Sequence, residues 1–144
     1  MNKIIMLVGL PGSGKSVYAE KLEKEENYII HASDRLREEM FGDSTNNENN
    51  HQLFQKLHKR IKNDLSENKN VIFDATNISY KRRRAFVQEI KKYNCKKECY
   101  LIATPYELCL KRNKKRNRQV PEHVITRMYK TIYIPQYYEG WNEI

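Results

Sequence analysis

The chain has 144 residues and carries 27 Lys and Arg against 18 Asp and Glu, a net charge of +9. That length suits one compact domain with a sizeable core, and no apolar run is long enough to span a bilayer, so a single cytoplasmic domain over residues 1–144 is expected, without membrane contact. A basic surface steers polyanions such as nucleic acid, although a chain this rich in Lys, Asn, Ile and Tyr also acquires positive charge through composition alone.

Lys3-Ile4-Ile5-Met6-Leu7-Val8 reads as a buried parallel strand. Directly after it, Gly9-Leu10-Pro11-Gly12-Ser13-Gly14-Lys15-Ser16 spells a P-loop, and the helix that opens at Ser16 fades near Glu26. The motif begins almost at the first residue, so no domain is expected before it. Tyr28 to Ala32 predicts a second strand, and Ser33 is expected to cap a short helix from Asp34 to Met40. Gly42 to Asn50 is polar and Asn-rich, a loop. Leu53, Leu57, Ile61 and Leu65 recur every four residues and predict a helix from about Gln52 to Ser66. Val71-Ile72-Phe73 is a short buried strand ending at Asp74. Ser79 starts a helix with Ala85, Phe86, Ile90 and Tyr93 on its apolar side. Cys99 to Ala103 reads as a fourth strand, and Pro105 opens a helix that runs into the basic stretch Lys111 to Arg118. Pro121 opens a last helix through Val124, Ile125, Met128 and Ile132.

Alternating strands and helices with no linker or repeat imply an α/β fold in three layers, a parallel sheet of four to five strands with helices on both faces. The odd set Cys95, Cys99 and Cys109 has no metal-type pairing and reads as reduced and structural or incidental; the scattered His31, His51, His58 and His123 suggest no zinc site.

The P-loop names a ligand. Its glycines let the backbone approach phosphate oxygens, and its N–H groups converge where a helix N-terminus already favours negative charge. Gly9, Pro11, Gly12, Ser13, Gly14, Lys15, Ser16 and the backbone N–H of Val17 form the cradle. Lys15 reaches the β- and γ-phosphates of ATP, and the Ser16 hydroxyl holds Mg²⁺.

Ligands of such sheets sit beyond the carboxyl ends of the strands, and further residues fall there. Asp34 and Arg37 follow the second strand three residues apart, on one helix face. Asp34 is the candidate general base toward an acceptor hydroxyl, or else only an N-terminal helix carboxylate stabilised by the helix dipole, and Arg37 is the candidate clamp for an acceptor phosphate. Asp74 either joins Ser16 at the metal or anchors Arg37. Arg112 and Arg116, four apart on a helix, either close over the donor phosphates as a lid spanning about 111–121 or belong to a solvated face. Arg82-Arg83-Arg84 must point in different directions, so only one or two of them can face a ligand. Asn113-Lys114-Lys115-Arg116 departs from the Asn-Lys-x-Asp guanine motif in its last residue, which sets GTPases aside. The chain is too short for a helicase or a ring ATPase.

These blocks, in this order, resemble the kinase domain of phage-type polynucleotide 5′-hydroxyl kinases. The resemblance rests on the P-loop, on Asp34 with Arg37, on Val71 to Asn77 followed by Arg82-Arg83, and on Lys111 to Arg116 with Val120-Pro121 and Met128-Tyr129-Lys130. It implies a stand-alone kinase that uses ATP and Mg²⁺ to phosphorylate the 5′-hydroxyl of DNA or RNA. In such a kinase Asp34 activates the hydroxyl, Arg37 contacts the acceptor's 3′-phosphate, and Arg112 and Arg116 belong to the lid. Val17 stands where a threonine is common, and Ala75 stands where the phage enzymes carry aspartate, with Asp74 one residue earlier. The ending Glu139 to Ile144 is similar to a segment that precedes a final strand in the wider group. No Asp-x-Asp-x-Thr phosphatase sequence is present. The competing readings are a kinase for a small-molecule hydroxyl and a non-catalytic ATP-binding regulatory module.

Overall fold

Strict alternation along β1 (Lys3–Val8) sets up the whole architecture. Ile4, Met6 and Val8 enter one buried cluster, and Ile5 and Leu7 enter another. A strand buried on both faces must sit inside a sheet covered on both sides. The computed structural model, which describes residues 1–44, 48–117 and 119–144, places β1 there. The other strands are β2 (Ile29–Ala32), β3 (Val71–Asp74) and β4 (Lys96–Leu101). All pair in parallel in the order β2-β3-β1-β4. From β1 the chain goes out to β2 at the sheet edge, returns to β3 beside β1, and then crosses to β4 on the other side. The switch point therefore lies at the carboxyl end of β1.

The helices are α1 (Lys15–Glu26), α2 (Ser33–Phe41), α3 (Asn50–Ser66), α4 (Tyr80–Glu89), α5 (Tyr106–Lys114) and α6 (Glu122–Thr131). The larger cluster joins one face of the sheet to Leu36 of α2, to Leu53, Leu57, Ile61 and Leu65 of α3, and to Phe86 and Val87 of α4. The smaller joins the other face to Ala19 and Leu22 of α1. Fully burying each such aliphatic side chain stabilises the fold by about 1.5–3 kcal/mol.

Several boundaries differ from the sequence reading, each for a local reason. Ser33 is the first helical residue of α2, and Ala32 occupies the cap position with no side-chain bond. Strand β4 begins at Lys96 rather than Cys99, because its polar start is neutralised: Glu98 sits 3.4 Å from Lys3 and 3.3 Å from Lys96. Pro105 and Pro121 cap their helices from the position before the first helical residue. Ala85 is exposed, and Arg83 and Val87 take the inward face of α4 with Phe86. Of the expected 42–50 loop, residues 45–47 lie outside the described residues, as does Arg118 of the basic run.

The expected range of four to five strands resolves into four strands and one further contact. A single 3₁₀ turn, Tyr137–Glu139, leads into a tail that runs beside β4. Asn142 N donates to Lys97 O at 2.7 Å, Cys99 N donates to Glu143 O at 3.0 Å, and Glu143 pairs in parallel with Glu98. No helix among the described residues is long and apolar enough to cross a membrane. Cys95, Cys99 and Cys109 are buried free thiols, and burial pushes Cys99 up to about 12.

His58 gives the fold a measurable pH response. Its ring lies edge-on to Phe86 at 4.8 Å and Phe73 at 5.6 Å, and its Nδ1 is 3.2 Å from Glu89. Burial lowers its pKa from the ordinary 6.5, against the pull of Glu89. Just below that value the unfolded chain binds the proton first, so stability falls as pH drops through the window. His58→Leu is expected to flatten the fall in Tm between about pH 7 and pH 5, measured by thermal melts across that range.

Candidate active site

Beyond Val8 the chain must turn back tightly to enter α1, and the P-loop does this with two left-handed glycines. Gly12 has φ +82° and Gly14 φ +100°. A Cβ on Gly12 would lie 2.6 Å from the Cys109 carbonyl oxygen of α5, so this position has neither the conformation nor the room for a side chain. Gly12→Ala is expected to cost on the order of 1–3 kcal/mol and to abolish nucleotide binding; calorimetric titration with ATP checks it.

The loop is fastened from both flanking strands. Gly9 N donates to Thr76 O at 3.1 Å, and the Thr104 hydroxyl donates to Ser13 O at 2.6 Å. Lys15, the first residue of α1, is buried, and its Nζ donates to Leu10 O at 2.9 Å. Burial lowers its pKa, while Asp74 and Asp34 pull it up and Arg116 adds to the lowering.

Asp74 ends β3 beside the helix start of α1, where its Oδ2 accepts from Ser16 Oγ at 3.1 Å. Burial raises its pKa, with Lys15 and the Ser16 hydroxyl drawing it back down. A hydroxyl and a carboxylate side by side are hard oxygen donors, a set that fits Mg²⁺. Of the two arrangements open for Asp74, this geometry has it beside Ser16 and away from Arg37.

Arg37 is held otherwise. Its Nη1 donates to Asp34 Oδ1 at 2.8 Å and its Nη2 to Asn50 Oδ1 at 3.2 Å. The Arg37 side chain is buried at its base, and its Nε has no hydrogen-bond partner among the described residues. Asp34 stays near half exposed, at 46% of its side chain. Its charge acts on both Lys15 and Asp74, so the carboxyl end of β2 faces the P-loop.

The lid arginines separate. Arg112 is on α5, with Nη1 at 3.4 Å from Ser13 O, over the P-loop. Arg116 lies past the end of α5 at Lys114, in the following turn, so the two do not share a helix face as the spacing predicts. Its charge still reaches Lys15. The turn is shaped by Asn113, a buried amide that the sequence reading weighed only against the guanine motif. Its Nδ2 donates to Val120 O at 2.7 Å and its Oδ1 accepts from Val120 N at 2.9 Å, closing the loop on itself. Thr104 was missed as well; its place just beyond β4 was the available signal. Val17 is exposed and contributes no side chain to the cradle.

A triphosphate cradle at the switch point of a four-stranded parallel sheet, with helices on both faces, is the P-loop kinase fold. The chain belongs to the AAA domain family, whose model matches residues 4–135. It is 29% identical over 150 residues to the L-seryl-tRNA(Sec) kinase of Methanococcus maripaludis, a match spanning 96% of this chain and 56% of that one. The chain in the structure of the Pnkp1/Rnl/Hen1 RNA repair complex superposes with a TM-score of 0.81 at 27% identity, covering 90% of this chain and 43% of that one. Kti12 of Chaetomium thermophilum, solved with ADP-AlF3, shares the fold at a TM-score of 0.77 and 18% identity, over 98% of this chain and 87% of its own. The chain thus spans about half the length of the first two. These likenesses bear out the P-loop kinase fold.

Proposed function

We propose that this protein transfers the γ-phosphate of ATP to a hydroxyl carried on nucleic acid, with the 5′-hydroxyl end of DNA or RNA as the acceptor. The observation that carries the reading is the Asp34–Arg37 pair at the carboxyl end of β2, a carboxylate whose charge acts on Lys15 and a buried guanidinium 2.8 Å from it. Asp34 accepts the hydroxyl proton as the acceptor oxygen attacks the γ-phosphorus, and the bond to the β–γ bridging oxygen breaks to release ADP. Arg37 holds an acceptor phosphate through its planar guanidinium, which Asp34 and Asn50 orient. Lys15, the P-loop amides and Arg112 hold and stabilise the transferring group, with Arg116 beside them. Ser16 and Asp74 would hold Mg²⁺, which would supply positive charge to offset the negative charge of the phosphates. The basic surface, +9 overall, supports a polyanionic acceptor.

The relative that acts on L-seryl-tRNA(Sec) favours a second reading, in which the hydroxyl belongs to a group esterified to an RNA rather than to its 5′ end. One acceptor panel separates these. Pure protein is incubated with γ-labelled ATP and, in parallel, 5′-hydroxyl DNA, 5′-hydroxyl RNA, seryl-tRNA, and small sugars and nucleosides. Label at the 5′ end of an oligonucleotide is the expected result. Label on seryl-tRNA alone moves the acceptor to the second reading. Label only on small alcohols, or ATP bound without transfer, overturns both.

A further inference from the structure

Tyrosines crowd the surface at the end of α6 and the tail that follows, where Tyr133 is 44% and Tyr138 58% exposed. Burial does not account for their position. Their hydroxyls lie 2.7 Å apart. The Tyr133 ring sits 5.1 Å from that of Tyr80, the first residue of α4, and the Tyr138 ring 5.8 Å from it. Arg84, one turn along α4, donates from Nη1 to the Tyr80 hydroxyl at 2.7 Å. The cluster borders the donor end of the sheet. Tyr133 N donates to Ile78 O at 3.1 Å, and that loop begins directly after Asp74 and passes through Thr76, which holds Gly9.

The carboxylate next to the rings, Glu139, is buried against Arg83. The two stretches that meet here, residues 75–88 and 123–138, contain no Asp or Glu and bring Lys81, Arg82, Arg84, Arg127 and Lys130. A protein partner is held mainly by an apolar patch with charges depleted at its centre. Aromatic faces interleaved with guanidinium groups suit a strand that offers bases and phosphates by turns. Unpaired bases stack on such rings with little regard for sequence, and bases in a duplex cannot.

We propose that Tyr80, Tyr133 and Tyr138, with Arg84, form a stacking platform for the bases of a single strand. The proposal rests on the nucleic-acid reading above and sharpens it: the acceptor is a single-stranded end several nucleotides long, and a lone nucleotide does not reach the platform. The rings hold bases, and Arg84 holds a phosphate between them.

The test is equilibrium binding by fluorescence anisotropy, using a 3′-labelled, 5′-hydroxyl oligothymidylate of about twelve nucleotides and the full chain across a salt series. Tyr133→Ala and Tyr138→Ala are each expected to weaken Kd about ten-fold with the salt slope unchanged. Tyr133→Phe keeps the ring and is expected to restore the affinity. Arg84→Ala is expected to lower the log–log salt slope by about 0.7. Thermal melts accompany each variant. If Tyr133→Ala proves unstable, Tyr138→Ala carries the measurement from its more exposed site. Wild-type affinity in folded Tyr138→Ala overturns the platform and leaves the patch to a protein partner. The transfer assay is read separately on the wild type: absent transfer with tyrosine-dependent binding sinks the kinase reading alone, and Asp34-dependent transfer with tyrosine-independent binding sinks the platform alone.

Discussion

Asp34→Asn is expected to lower kcat by about 10²–10⁴-fold with ATP binding retained. The substitution keeps the shape of the side chain and removes the proton acceptor. Asp34 is near half exposed and the Asn side chain keeps an Oδ1 acceptor for the buried Arg37, so the effect on stability is small. Single-turnover transfer to a 5′-hydroxyl oligonucleotide, alongside ATP titration, separates chemistry from binding. Loss of ATP binding together with activity would show that Asp34 supports the cradle and is no base. Arg37→Lys makes the complementary case. A point charge replaces a planar fork that Asp34 and Asn50 hold from two sides, and the acceptor KM is expected to rise more than kcat falls.

The second large effect is on stability. Arg83→Leu is expected to cost about 3–5 kcal/mol and to lower Tm by on the order of 10–15 °C. Arg83 and Glu139 are both almost wholly buried and meet through two parallel bonds, Nε to Oε1 at 2.8 Å and Nη2 to Oε2 at 3.0 Å. Trp141 Nε1 donates to the same carboxylate at 3.0 Å and Gln136 N at 3.1 Å. Burial alone would raise the Glu139 pKa; the Arg83 and Trp141 donors outweigh it and hold the group below the usual carboxylate range. Its contribution is therefore present above the ordinary 4.5 and lost as pH falls through the lower folded value.

Removing the arginine leaves a charge in the core without its partner, and that penalty dominates. The double variant Arg83→Leu/Glu139→Gln is expected to recover a large part of the loss in a thermal melt, which an Arg83 acting only through packing would not allow. The same side chain reaches toward the site: Nη1 donates to Asn77 O at 2.8 Å, and Asn77 Nδ2 donates to Leu7 O at 2.9 Å. Arg83→Leu should thus also weaken ATP binding.

Arg83 shows how far the sequence could be read. With Phe86, Val87 and Ile90 it falls at i, i+3, i+4 and i+7, so its place on the buried face of α4 was legible in the spacing. Its partner was not, because Glu139 lies 56 residues away and nothing local ties the two together. The basic run shows the opposite failure. Its composition suggested a continued helix with Arg112 and Arg116 on one face, but Asn113 binds Val120 and turns the chain at that point. A side chain closing a loop onto its own backbone leaves no periodic signal.

The sequence by itself determined the donor half. Two-sided alternation in β1 demanded an interior strand, and glycines at 12 and 14 followed by Lys15 and Ser16 admit one backbone path, the phosphate cradle. These are properties of consecutive residues, and consecutive residues obey local sterics and period. Only the tertiary structure decided that Asp74 turns to Ser16 and not to Arg37, that Arg83 serves the core and not a ligand, and that Tyr80 meets Tyr133 and Tyr138 beside Arg84. Each of those choices is made between side chains brought together by the sheet order, and long-range packing sets their partners by geometry that no stretch of chain carries alone.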